Sequence, residues 1–249
     1  MCRFKSGIIL KSRVAIAPGG DDSHSALLES MGIEDDYIGA SKVFVRAELV
    51  PKNDEWWISP EEYPDNWVFV VDQDIVPDWF DKEEDEKVFR ESVCDWWKQH
   101  VLIDQKIDEL SSGYYCLKRC EVKILCKDVQ VMLDNSTVQV MLVNSTVNKM
   151  LDNSTVNEMW DNSTVNEMWD NSTVNEMLDN STVNEMWDSS TVNEMWGSST
   201  VNEMRDSSTV NEMRDNSMVR SFKEYPKIQI FVPDTGSFEM VSFKNKSED

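Results

Sequence analysis

Valine recurs at positions 129, 138, 147, 156, 165, 174, 183, 192, 201, 210 and 219, eleven times at a spacing of nine with no slip. Methionine follows three residues later from Met132 to Met213, until Phe222 takes its place, and serine precedes each valine by two from Ser136 to Ser217. No other feature limits the fold as much. A helix turns by 100° per residue, so nine residues rotate it by about 900° and send successive valines to opposite sides. Asn, Ser, Thr and Val are also weak helix formers. Short strands fit better, with "STV" extended and "DN" or "DS" making Asx-type turns.

A nine-residue coil would measure roughly 30 Å around at about 3.3 Å per residue, too tight to enclose a Val and a Met. Two repeats per coil, eighteen residues, remove the problem. The eleven repeats then give about five or six coils, stacked about 4.8 Å apart. Such units gain a core only by stacking on one another. The expected fold is mainly β: a small α+β N-terminal domain, a short-repeat β-solenoid with about two nonapeptides per coil, and a C-terminal β-hairpin cap.

Compared with one another, the repeats separate inside from outside. The Val and Met columns barely change and are expected to face inward, with Ser beside them. The position after Met is Leu at 133, 142, 151 and 178, Trp at 160, 169, 187 and 196, and Arg at 205 and 214. A column that accepts Leu, Trp and Arg is not sealed in a core, where an unpaired charge is costly. Two residues after Val stand Val131, Val140 and Lys149, then Glu from 158 to 212. These columns face out or line an edge. In an eighteen-residue coil Trp160 and Trp196 share one face with Leu178, while Trp169 and Trp187 share the other. The candidate binding residues are therefore Trp160, Trp169, Trp187 and Trp196 with Glu158, Glu167, Glu176, Glu185 and Glu194. Aromatic ladders of this kind anchor protein partners or stack on sugars.

Asp152, Asp161, Asp170, Asp179 and Asp188 add a second carboxylate column. Like charges about 4.8 Å apart repel by roughly 1 kcal/mol in water. A solvated acidic face is the ordinary reading, because the Gly-Gly-x-Gly-x-Asp pattern of calcium-binding nonapeptides is missing.

The rest of the chain divides around the repeats. Residues 1–105 read as an α+β head, 106–126 as a junction capping the first coil, 127–222 as the solenoid, and 223–249 as a capping hairpin and tail. In the head, "CRFKSGIIL" and "RVAIAP" suggest a hairpin about Lys11-Ser12. Ser23 is a helix N-cap, with Leu27, Leu28 and Met31 on one face and Gly32 as the stop. "KVFVRAELV" predicts a strand with Val43, Val45, Ala47 and Leu49 on one side, and "WVFVVDQD" predicts another. A helix is expected over 81–100, with Phe89, Val93, Trp96, Trp97 and His100 at helical spacing. The Trp56, Trp57 and Trp67 side chains of the intervening loop are expected to pack over the sheet, with a lid as the other reading. "KIQIFV-PDTG-SFEMVSF" predicts two strands with the turn at Pro233–Gly236.

The net charge of −23 disfavours direct binding to nucleic acid and to anionic membranes. Its complement is a protein partner, a basic one in particular, and it permits imitation of DNA. No apolar run reaches eighteen residues and "MCRFKSGIIL" lacks an export signal, so a cytoplasmic protein is expected. The five cysteines at 2, 94, 116, 120 and 126 lack zinc-knuckle spacing and lie far from His24 and His100, so neither metal nor cofactor is read from them. Cys2 is the one catalytic candidate. Once Met1 is removed its amine sits beside its thiol, and His24, Lys5 or Arg13 would supply charge or a proton relay.

The runs "MCRFKSGIIL", "DSHSALLESMGIEDD", "FVRAEL" and "VDQDIVPDWF", with the later "NSTVNEMW" units, resemble uncharacterised gut-bacterial and phage-associated proteins. Those join a domain starting "MCRF" to a variable number of N-S-x-V-x-x-M repeats. The resemblance covers most of the chain and implies a bacterial cell or phage-infected host; it brings no activity and no catalytic residues. The opening is also similar to the "MCGRF" start of SOS-response-associated peptidase-like proteins, which use that cysteine covalently, but this chain lacks the Gly. The functional expectation is a non-enzymatic binding or scaffold protein whose acidic, Trp-bearing solenoid meets a protein partner, with DNA mimicry as one form. The alternative is a Cys2 hydrolase or covalent-capture enzyme positioned by the solenoid. Pairing of two copies stays open.

Overall fold

The structure, a computed structural model, describes residues 4–19, 22–223, 226–232 and 237–242. It is mainly β, with 46% strand and 17% helix. The chain divides into two compact units, residues 1–101 and 102–249.

The first unit is built on four antiparallel strands, β1 (Lys5–Leu10), β2 (Arg13–Ile16), β3 (Phe44–Pro51) and β4 (Trp67–Val71), in the order β2-β1-β3-β4. The predicted hairpin is β1–β2. Helix α1 (His24–Ser30) starts on Ser23, whose hydroxyl accepts from the Ala26 amide, and Gly32 follows it at φ +68°. Short α2 is Tyr37–Lys42, and α3 (Lys82–His100) is capped by Asp81, which accepts from the amides of Glu83 and Glu84. The acidic first turn of α3 meets the positive end of its dipole.

Strand alternation sends neighbouring residues to opposite sides of this sheet. Ile8 and Phe44 pack with Leu28 of α1 on one side. Gly7, Ala47, Leu49 and Phe69 share the other, against α3. There the Phe89 ring lies 5.5 Å from Phe69 and fills the space beside Gly7, where an added Cβ would come within 2.8 Å of it. Phe89, Val93 and Trp96 of α3 are buried, as their spacing predicts. Trp56 and Trp67 are buried as well; the Trp67 indole donates to the Ile58 carbonyl, and Phe4 packs on both rings. Packing is therefore their role in this structure. One strand residue departs from its expected place: Val43 does not lead the buried row of β3 but caps the C-terminus of α2 and is 45% exposed. A six-residue helix is too short for apolar periodicity to reveal.

The second unit is a β-solenoid of about seven turns over residues 101–228. Its early strands are β5 (Val101–Ile103), β6 (Lys106–Leu110), β7 (Gly113–Lys118), β8 (Glu121–Leu125), β9 (Val129–Asp134), β10 (Thr137–Met141) and β11 (Thr146–Leu151). Seven Thr-to-Met strands follow at a period of nine, from β12 (Thr155–Met159) to β18 (Thr209–Met213), and then β19 (Met218–Phe222). Odd and even strands form separate sheets, and each strand pairs in parallel with the strand two further on. Val138 faces Val156, then Val174, Val192 and Val210; Val147 faces Val165, then Val183, Val201 and Val219. Each step is eighteen residues, so two nonapeptides make one coil.

Between the sheets, the valines from Val138 to Val210 and the methionines from Met141 to Met204 are fully buried in one continuous core. Burial contributes about 1.5–3 kcal/mol per side chain before conformational entropy is counted. Valine and methionine stand three residues apart, so simple alternation would send them to opposite faces. The chain resolves this at the Asn between them. Thr, Val, Glu and Met each face their counterparts one coil away, whereas the Asn backbone has no register partner.

The corners set the other rule. Asp152, Asp161, Asp170, Asp179, Asp188, Asp206 and Asp215 all have φ between 53° and 58°, and Gly197 has φ 66°. These residue types tolerate the left-handed region. In the first two repeats the left-handed residue stands one place further on, at Asn135 (φ 47°) after Asp134 and at Asn144 (φ 57°) after Val143; at Val143 a β-branched side chain would also resist that conformation.

Two details depart from the sequence reading. The stretch read as a junction contributes β6, β7 and β8 to the stack. Val122 and Leu125 face Val138 and Met141, with Ile107 and Leu110 beneath them. The V-x-x-M spacing persists there as V-x-x-L and I-x-x-L although the repeat is otherwise lost, so the stack exceeds five or six coils. Against β9 the register shifts at Asn148 of β11, because β9 has no skipped residue of its own: Val131 and Leu133, not Val129 and Met132, face Val147 and Met150. At the far end β20 (Lys227–Val232) pairs in parallel with β18 and antiparallel with β21 (Ser237–Ser242). This is the expected hairpin; the turn read at Pro233–Gly236 lies outside the described residues.

Candidate functional site

The eighteen-residue coil sorts the outward columns onto two faces. On the even sheet the residues after Met are Leu142, Trp160, Leu178, Trp196 and Arg214; on the odd sheet they are Leu151, Trp169, Trp187 and Arg205, with Lys223 in the same column after Phe222. Every tryptophan of the repeats pairs with the glutamate two residues before it. The indole N–H donates to the carboxylate from Trp160 to Glu158 (2.8 Å), Trp169 to Glu167 (2.9 Å), Trp187 to Glu185 (3.1 Å) and Trp196 to Glu194 (3.1 Å). In a strand, residues i and i+2 share a face, so the spacing creates the pair. Glu176 precedes Leu178 and stays exposed with no indole beside it.

The two ladders differ in how far they are neutralised. On the odd face Trp169 and Trp187 stack, Lys149 reaches Glu167 at 3.2 Å, Arg205 pairs with Glu203, and Lys223 also reaches Glu203 at 2.9 Å. The Arg205 guanidinium lies over the Trp187 ring at 3.9 Å and within 3.9 Å of Glu185, the partner of that indole. On the even face Arg214 lies over Trp196 at 4.4 Å and pairs with Glu212. Below it, Glu158, Glu176 and Glu194 form no ion pair among the described residues, and Trp160 is 39% exposed between Leu142 and Leu178. The even face is the more open.

The sequence reading missed a third column. The Asn after each Val donates its side-chain amide to the Asn or Gln one coil earlier: Asn175 to Asn157 (2.7 Å) and Asn193 to Asn175 (2.8 Å) on one sheet, Asn184 to Asn166 (2.8 Å) and Asn202 to Asn184 (2.6 Å) on the other. Such amide ladders reinforce parallel in-register stacks. Invariance at a half-buried polar position was the available signal. The Asp column also holds successive coils together. The carboxylates of Asp170, Asp206 and Asp215 accept the backbone N–H of Asp152, Asp188 and Gly197 one coil earlier.

Cys2 lies outside the described residues. His24 is buried, with Nε2 3.1 Å from the Ala47 carbonyl oxygen and Nδ1 3.4 Å from Asp72 Oδ2. Glu48 joins them, and the ligand atoms of His24, Glu48 and Asp72 all lie within 4.8 Å of one another. Cys94, Cys116, Cys120 and Cys126 are free thiols, and burial pushes those of Cys94, Cys120 and Cys126 above the ordinary range, which disfavours the nucleophilic thiolate. Among the described residues no helix is long and apolar enough to cross a membrane.

Fold and faces together define an acidic, tryptophan-laddered β-solenoid joined to a small α+β unit. No protein-family model, curated protein or solved structure matches this chain.

Proposed function

We propose that this protein is a binding scaffold, and that the even face of its coil receives arginine or lysine side chains of a basic protein partner. The observation that carries this is Arg205 over Trp187 and beside Glu185. Here the chain supplies its own cation to a Trp–Glu pair. The ring face attracts the cation and the carboxylate lies within reach of it. Trp160 with Glu158 offers the same pair with no cation upon it among the described residues. Glu176 and Glu194 continue the acidic row, and Leu142 and Leu178 give it an apolar flank.

Charge density narrows the partner class. The coil over residues 152–169 carries four carboxylates, about one per 1.2 Å of axis at a rung spacing of ~4.8 Å. Duplex DNA carries one negative charge per ~1.7 Å. A surface evolved to meet DNA would meet comparable charge here, so a DNA-binding protein is the favoured partner.

Titration of the full chain with an arginine-rich peptide, followed by tryptophan emission across a salt series, tests the reading. Saturable binding is expected, weakened about tenfold or more, roughly 1.4 kcal/mol, by combined Glu158→Gln, Glu176→Gln and Glu194→Gln, and also by Trp160→Leu. Duplex DNA should compete for the same peptide. Equal binding by the wild type and the triple variant would end the proposal.

A further inference from the structure

Three elements of the first unit bring together a mixed donor set. His24 opens α1, Glu48 lies within β3, and Asp72 follows β4. Glu48 projects to the same side of the sheet as its register partners Ser6 on β1 and Val70 on β4. It is only 6% exposed, yet its carboxylate makes no hydrogen bond or ion pair with any described residue. A carboxylate shielded from most of its water and given no partner costs free energy.

The histidine tautomer sharpens the point. A backbone carbonyl only accepts, so the nitrogen facing Ala47 O, Nε2, carries the hydrogen and donates it. Nδ1 then looks toward Asp72 Oδ2 at 3.4 Å. A proton on Nδ1 would reach Asp72 only across a gap longer than a good N–H···O bond of ~2.7–3.2 Å. One divalent cation would serve all three groups. Two carboxylates and a neutral imidazole balance its charge. Ligand atoms bound tetrahedrally at about 2.1 Å stand roughly 3.4 Å apart, which is the separation of Nδ1 and Oδ2. Donation of the other ring N–H to a backbone carbonyl is also the contact that orients metal-bound imidazoles.

We propose that His24 Nδ1, Glu48 and Asp72 form a binding site for one divalent transition-metal ion of the zinc class. One imidazole nitrogen with two carboxylate oxygens is a donor set that zinc and its divalent first-row neighbours accept. Three protein ligands leave a coordination position for water, and the Asp72 side chain, 58% exposed, lies on the solvent side. The site belongs to the first unit and is independent of the coil's binding faces.

The test uses the full chain, stripped with a chelator and dialysed. Zn²⁺ is titrated in competition with a chromogenic chelator, and Co²⁺ serves as a spectroscopic substitute. The expected result is one tight site per chain. The Co²⁺ complex should show a visible d–d spectrum without the thiolate charge-transfer band that a cysteine ligand would add. Asp72→Asn and the isosteric Glu48→Gln should each weaken that site at least tenfold while the circular dichroism spectrum is retained. Asp72 is surface-exposed, so its variant keeps the test valid if Glu48→Gln does not fold. A thiolate band, stoichiometric binding unchanged in Asp72→Asn, or no binding above the diffuse uptake expected of the acidic coil would each overturn the assignment.

Discussion

Trp169 and Trp187 stack with ring centroids 4.8 Å apart and planes 4° from parallel. Their separation equals the rung spacing of a parallel sheet, about 4.8 Å, because the residues occupy equivalent positions eighteen apart in paired strands. Backbone register therefore positions the indoles, and each N–H is held by its own glutamate. Such pairs contribute about 0.5–1.5 kcal/mol beyond area burial. A double-mutant cycle with Trp169→Leu and Trp187→Leu should return coupling in that range, read from urea unfolding of the full chain. Leucine already occupies this column at Leu151 and Leu178, so neither variant should disturb the coil. Trp160→Leu, whose neighbours are leucines, should show no coupling to Trp196→Leu. Zero coupling between Trp169 and Trp187 would contradict the stack.

The corner column gives a sharper contrast. Asp188 has φ 56°, a conformation that costs little for Asn or Gly and on the order of 1–3 kcal/mol for a side chain that resists it. Asp188→Asn should leave the melting temperature within a degree or two, roughly ±0.5 kcal/mol for a surface change. Asp188→Val should destabilise by about 1–3 kcal/mol. An alternative corner exists in the chain: after Asp134 and after Val143 the left-handed residue is the next one, Asn135 or Asn144, whereas Asp188 is followed by Ser189. An Asp188→Val protein as stable as the wild type would show that this escape costs nothing.

The coil is legible in the sequence because eleven copies expose which columns vary and which do not. The Val, Met and Ser columns hold constant and are buried; the period of nine leads to the eighteen-residue coil. The Asn amide ladders are not legible, because one Asn looks like a polar strand residue until its copies stand one above another. Strands β6, β7 and β8 are hidden since only two apolar positions per strand survive from the repeat. The His24, Glu48 and Asp72 cluster has no sequence spacing to recognise. It exists only because β3 and β4 pair and α1 packs on their sheet.

The serine column separates volume from hydrogen bonding. Ser154 and Ser217 donate to the carbonyls of Leu151 and Arg214, both at 2.7 Å. The hydroxyls of Ser172 and Ser181 are as buried as that of Ser154 but have no such partner. A buried hydroxyl without a partner costs about 1–3 kcal/mol. Ser172→Ala should therefore be neutral or stabilising in thermal unfolding, whereas Ser154→Ala should cost about 0.5–1.5 kcal/mol. Ser172→Val should be worse than either, since overpacking a close-packed site costs ~1–3 kcal/mol. If both alanine variants lose the same stability, the two hydroxyls share one environment and the contrast fails.

One corner is predicted to be pH-sensitive. Lys118 and Asp134 form a buried ion pair at 2.6 Å, and Asp152 stands beside them, with Lys118 Nζ 4.0 Å from its carboxylate. Asp134 chiefly, then burial, raises the pKa of Asp152, while Lys118 opposes the shift. The folded chain thus holds this proton more tightly than the unfolded chain. Stability from the protonated form is complete below the unfolded pKa and is lost as pH rises through the folded one. At neutral pH the Asp152 charge is a net burden. Asp152→Asn should then stabilise, by no more than ~1 kcal/mol for a half-exposed pair, and Asn suits the corner, where φ is 56°. The gain should shrink as pH falls through the raised pKa and vanish below about pH 4. Asp134→Asn should act in the opposite direction, since it leaves the buried Lys118 without its close partner, a loss of about 3–5 kcal/mol for a fully buried pair. Unfolding curves of both variants at several pH values check the signs. A gain for Asp152→Asn that persisted in acid would show that its charge is not the cause.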